Sequence, residues 1–138
     1  MNSGSLQILL VGRERSSFDA FKRMFEAEKH IASRFVDSAE KAMQTLKQKR
    51  VDVAVVSDEL SDKSGLQFIK ELVVEHPFVN CALVSPLYSH EFHQQTEGLG
   101  VFMQLPVNPG AEAALEMIEN LRKIYQISTE IQQDRQSS

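Results

Sequence analysis

The sequence predicts a doubly wound α/β domain: a five-stranded parallel sheet with five helices. Three observations predict it. Short, continuously apolar runs recur along the chain, amphipathic stretches of helical spacing separate them, and caps or breakers mark the joins. Parallel neighbours need crossover connections, and right-handed crossovers put helices on both faces of the sheet. A strand covered on both faces loses its polar alternation, as these runs do.

Leu6–Val11 reads Leu-Gln-Ile-Leu-Leu-Val and forms the first strand. Ser16 or Ser17 is placed to cap a helix whose Phe18, Phe21, Met24 and Phe25 fall on one stripe. Ile31–Val36 is a second strand, and Ser38 caps a helix with Ala39, Ala42, Met43 and Leu46 inward. Residues 51–56 make a β-branched third strand. After Ser64 and Gly65, the residues Leu66, Ile69, Leu72 and Val73 return to helical spacing until His76-Pro77 stops them. Residues 80–85 form a fourth strand, 88–97 a polar helix and 101–104 a short fifth strand. Asn108 is placed to cap the last helix, with Pro109 in its first turn and Ala114, Met117, Ile118, Leu121, Ile124 and Tyr125 inward. Residues 6–126 make up the domain. Residues 1–5 are expected to be a disordered or vector-derived N-terminus, and residues 127–138 a polar helical extension or tail.

Bulk composition narrows the function. At 138 residues, 42% hydrophobic and 25% charged, the chain suits one globular domain. A net charge of −4 offers no basic field for a nucleic-acid backbone. The single cysteine, Cys81, sits in an apolar run, which excludes an internal disulfide and fits a reducing cytoplasm. With no membrane-length apolar stretch and no signal-peptide pattern at the N-terminus, a soluble cytoplasmic protein is expected.

In a doubly wound sheet, functional groups gather beyond the carboxyl ends of the strands. There the segment from Val51 through Ser57-Asp58-Glu59 to Gly65-Leu66 resembles the stretch of a response-regulator receiver domain that carries the phospho-accepting aspartate. Ser57 takes the acceptor position. The stretch from Gly98 to Val107 is similar to the one ending in a lysine-proline pair, with Leu105 in place of lysine and Pro106 retained. Gly12 and Arg13 stand where the family has an acidic pair, Ser85-Pro86 matches its hydroxyl residue and the small residue after it, and Phe102 matches its switching aromatic. The resemblance spans roughly Leu6 to Tyr125. It implies a flavodoxin-like strand order 2-1-3-4-5, a cis bond at Leu105-Pro106, and an interaction surface at Tyr88, Phe92, Phe102 and the outer face of the last helix, for a homodimer or for an output domain, histidine kinase or another regulator.

Phosphoryl transfer to an aspartate needs a nucleophilic carboxylate, Mg²⁺ and a cation on the phosphoryl oxygens. Gly12, Arg13, Ser57 and Leu105 supply none of these. The expectation is therefore a degenerate receiver, not an enzyme, with no metal and no cofactor, working through protein contacts. Arg13 is expected to span the emptied site to Asp58 or Glu59. Asp58, one residue past Ser57, should face away from it by strand alternation. A phosphorelay receiver with an unconventional acceptor is the second reading. A flavin or nucleotide binder is the third, though no Gly-x-Gly-x-x-Gly or Gly-Lys-Ser/Thr pattern occurs. His90, His93 and Glu97 share a helical face at metal-compatible spacing, but no further ligand is evident and a solvated helix is the favoured account of them.

Overall fold

The computed structural model describes residues 5–125; the expectations for residues 1–4 and 126–138 lie outside the described residues. Strands β1 (Leu6–Val11), β2 (Ile31–Val36), β3 (Val53–Val56), β4 (Asn80–Val84) and β5 (Val101–Leu105) alternate with helices α1 (Asp19–Glu26), α2 (Ala39–Gln48), α3 (Gly65–Glu75), α4 (Ser89–Thr96) and α5 (Ala111–Tyr125). All neighbours are parallel, in the order β2-β1-β3-β4-β5. This is the predicted architecture and strand order.

The apolar runs have a direct cause. In β1, Ile8 and Leu10 face a core shared with Phe18, Phe21, Phe25, Met117 and Leu121 of the α1 and α5 layer. Leu9 and Val11 face the opposite core, with Ala42, Leu46, Phe68, Ile69 and Leu72 of the α2 and α3 layer. Neither face of a central strand meets water, so neither face tolerates polar residues. Burying each large side chain contributes about 1.5–3 kcal/mol, and both layers hold many.

Local chemistry sets the ends. Ser38 and Ser64 cap α2 and α3 as expected, accepting from Lys41 N–H (3.0 Å) and Gln67 N–H (3.1 Å). Ser16 and Ser17 do not cap α1: a 3-10 turn over Arg15–Phe18 precedes the helix, and Ser17 Oγ donates back to the Glu14 carbonyl at 2.8 Å. Asn108 and Pro109 do not open α5. Asn108 adopts a positive φ of 53°, incompatible with a cap's extended backbone, and α5 starts only after Gly110, whose carbonyl accepts from Ala114 N–H at 3.1 Å. Ile124 is 44% exposed, because the inward stripe passes through Leu121 and Tyr125 one turn apart and leaves it at the flank. β3 begins at Val53 because Asp52 is spent on a junction. Its carboxylate accepts from Gln7 N–H (2.8 Å), and its carbonyl accepts from Asn80 N–H (3.0 Å) and Tyr125 OH (3.0 Å). Among the described residues no helix is long and apolar enough to cross a membrane.

The β3–α3 loop is fastened to α2. Asp62 accepts from the Ala39 and Glu40 N–H groups at 2.9 and 3.0 Å, and Ser61 Oγ donates to the Asp37 carbonyl at 2.8 Å. Burial works against the Asp62 carboxylate, but the bonds from Ala39 and Glu40 hold its pKa below the ordinary carboxylate value. A lowered pKa stabilises the fold above the unfolded-state value, and that contribution disappears as pH falls through the folded-state value. Asp62→Ala is expected to cost about 1 kcal/mol in chemical denaturation at neutral pH, with the gap from wild type narrowing below about pH 4. A gap independent of pH would refute the charged cap.

Candidate functional site

The carboxyl ends of the strands form an open cleft of about 350 Å³, lined by residues including Arg13, Glu14, Ser57, Asp58, Glu59 and Asn108. Sheet pairing runs one residue past the strands and assembles its floor. Gly12 N–H donates to the Val36 carbonyl (3.2 Å), Ser57 N–H to Val11 (2.9 Å) and Ser85 N–H to Leu105 (3.0 Å). Four of the matched positions therefore do meet at one edge.

Their packing leaves little freedom. A Cβ on Gly12 would stand 2.8 Å from Ser57 Oγ and 3.0 Å from the Phe18 ring. A Cβ on Gly65 would run into the Ser57 carbonyl itself. Ser57 is thus held between two glycines, and the space where a side chain of residue 12 would project is taken by Phe18, only 1% exposed and packed on Phe21 and Phe35. Leu105 is fully buried in the α1 and α5 core. The Leu105-Pro106 bond is trans, contrary to expectation: no peptide bond among the described residues is cis. Trans is the intrinsic preference of an X-Pro bond, and a core leucine that aligns with Val84 in β4 has no polar group to redirect toward the cleft.

Ser85 is turned onto its own loop. Its Oγ accepts from Leu87 N–H at 3.2 Å, while Gln104 Nε2 donates to the Ser85 carbonyl (3.0 Å) and the Leu87 carbonyl (2.7 Å). Gln104 was not singled out from the sequence. The available signal was its polarity beside Leu105 in an otherwise apolar strand.

Several expected placements change. Arg13 is exposed at the rim and forms no ion pair with Asp58 or Glu59 among the described residues, since an exposed pair would repay little of the side-chain order it demands. Asp58 lines the cleft beside Ser57, because β3 ends at Val56 and strand alternation no longer applies; its carbonyl instead accepts from Gly65 N–H at 2.9 Å. Phe92, 2% exposed, is core in the α2 and α3 layer, and Phe102 is partly buried against the opposite core. Of the three aromatics assigned to an interaction surface, Tyr88 is the exposed one, at 79%. Burial pushes the Cys81 thiol up to about 12, so it stays protonated and unreactive at neutral pH.

The receiver-type site implies Mg²⁺, and the donors present do not fit it. Among the described residues no three His, Cys, Asp or Glu side chains are grouped to hold one ion, on α4 or in the cleft. Glu14, Asp58 and Glu59 line the cleft without being grouped to hold one ion.

No family model and no curated protein matches the sequence. Solved structures do. A CheY-like response regulator receiver domain protein from Methanospirillum hungatei JF-1 superposes with a TM-score of 0.73 at 17% identity, over 91% of this chain and 98% of that one. A two-component response regulator from Clostridium difficile gives 0.74 at 16%, over 88% and 99%. The Francisella response regulator 1452 receiver domain gives 0.73 at 18%, over 86% and 98%. The chain has the receiver fold. At such identities the likeness fixes the receiver architecture, and the chemistry must be read from the cleft itself.

The floor packing yields a test. Introducing a carboxylate by Gly12→Asp forces a charged side chain against Ser57 Oγ and Phe18, and is expected to cost about 2–4 kcal/mol in chemical denaturation. A Gly12→Asp chain as stable as wild type would show that the receiver pocket can reopen.

Proposed function

We propose that this chain is a receiver module of signal transduction that works by protein contact without taking up a phosphoryl group. The observation that carries the reading is the cleft floor, where Gly12, Phe18 and Ser57 pack together and Leu105 is core. Acyl-phosphate formation would require a carboxylate nucleophile in line with the phosphodonor, an ion to gather its oxygens and a cation to draw off developing charge. Ser57 offers a hydroxyl, and no histidine lines the cleft to activate it. Arg13 is the cation lining the cleft among the described residues, and it is exposed.

The loop after β4 fits the same reading. In a switching receiver this hydroxyl must be free to reach a phosphoryl group. Here Gln104 and Leu87 occupy the polar groups of Ser85, so the loop is held in one arrangement. A module fixed in this way acts as a docking platform or a dimerisation unit in the cytoplasm. Its partner is an output domain, a histidine kinase, another regulator or a second copy. Tyr88, exposed immediately after the pinned loop, is the side chain best placed to be read by that partner.

Asp58 in the cleft is the one observation favouring a phosphorelay reading with a displaced acceptor. Intact-mass measurement after incubation with acetyl phosphate and Mg²⁺ separates the two. The expected spectrum shows the unmodified chain and an unchanged elution volume on a sizing column. A phosphoryl adduct that disappears in Asp58→Asn would overturn the proposal in favour of phosphorelay.

A further inference from the structure

The opposite end of the sheet carries a second concavity. Gln7 and Leu9 of β1, Arg34 of the edge strand β2, and Lys49, Arg50 and Val51 of the α2–β3 connection enclose about 350 Å³. Its charge is one-sided: three cations and no carboxylate line it, in a chain whose net charge is −4. Arg50 is already engaged, 3.5 Å from the Asp52 carboxylate and donating to the Ser5 carbonyl. The Arg34 and Lys49 side chains have no ion pair or hydrogen bond among the described residues. Two uncompensated cations sharing one concavity repel each other, and low-dielectric walls concentrate their field.

We propose that this groove binds a phosphate-bearing small molecule, with Arg34 and Lys49 as its anion ligands. The planar guanidinium of Arg34 can grip two phosphate oxygens, and the Lys49 ammonium adds a compact charge. Gln7 supplies a neutral amide beside them, and Leu9 and Val51 give apolar surface for an organic body. A volume near the lower end of the range for small-molecule sites suits a phosphomonoester and is too small for a dinucleotide. The site also touches a junction. Gln7 N–H is bound by the Asp52 carboxylate, and the Asp52 carbonyl takes the Tyr125 hydroxyl, so occupancy here bears on the fastening of α5. The inference is independent of the reading of the cleft and holds whether or not the module is phosphorylated.

Titration of the full ¹⁵N-labelled chain by NMR tests it, with inorganic phosphate and AMP as probes and ionic strength held constant with sodium chloride. Saturable shifts are expected at the amides of Gln7, Arg34 and Val51. The double variant Arg34→Gln/Lys49→Gln should weaken binding by about ten-fold or more, since each lost charge-assisted bond counts for at least that. Lys70→Gln, which removes an exposed charge elsewhere, should leave it unchanged. AMP binding more tightly than phosphate identifies an organic phosphoester as the ligand, and equal affinities identify free phosphate. Shifts that follow sodium chloride alone without saturating, or affinity unchanged in the double variant, would overturn the site. All three side chains sit on the surface, so these variants are expected to keep the wild-type spectrum elsewhere.

Discussion

The tightest constraint in the molecule is the seating of Ser57 between Gly12 and Gly65. β1 and β3 deliver Gly12 and Ser57 side by side, and the first turn of α3 presses Gly65 onto the Ser57 carbonyl. Gly65 is required because any Cβ would meet backbone, which cannot move aside without displacing α3. Gly12 is required for a softer reason: its neighbours are a hydroxyl and the edge of a ring. Phe18, carried inward by the 3-10 turn, takes the space that Gly12 leaves. The cleft above this floor is therefore an outcome of close packing, and its chemistry follows from what packing leaves exposed.

The departures at the strand ends are consistent with one another. A lysine at position 105 would bring a charge into the apolar core of the α1 and α5 layer, where Leu105 is fully buried. Leucine there joins the core at no electrostatic cost. Ser85, at the end of β4, is bound into its own loop by Leu87 and Gln104.

The fold was legible in the sequence because its signals are periodic and redundant. Apolar runs, helical stripes and the caps at Ser38 and Ser64 all agree, and any one of them could fail without changing the assignment. The site was legible only where it is backbone-determined. Gly12, Ser57, Ser85 and Leu105 meet because sheet register fixes them. Side-chain direction was not legible. Strand alternation places Asp58 away from the cleft, but alternation holds only while the strand lasts, and β3 ends two residues earlier. Phe92 looks like a surface aromatic on a polar helix, yet it is the residue that anchors α4 to the core. Asn108 has the composition of a cap and the φ of a turn. Gln104 became visible only when tertiary structure brought two carbonyls within reach of its amide.

The two ends of the sheet differ in kind. At the carboxyl ends, the Asp62 cap and the Gln104 clamp tie the β3–α3 and β4–α4 loops to neighbouring elements. At the amino ends, α5 is held to β3 and β4 through polar bonds of Asp52, Asn80 and Tyr125, which a charged ligand can perturb more readily than apolar packing. A ligand acts on a conformational equilibrium only through differential contacts with its states. Charged groups able to make such contacts lie at both ends of the sheet, around Arg34 and Lys49 at one and around Arg13, Glu14, Asp58 and Glu59 at the other. Under the proposal of a phosphate-binding groove, a ligand at the amino-terminal end of the sheet would act through the bonds of Asp52 that fasten Gln7 and Tyr125.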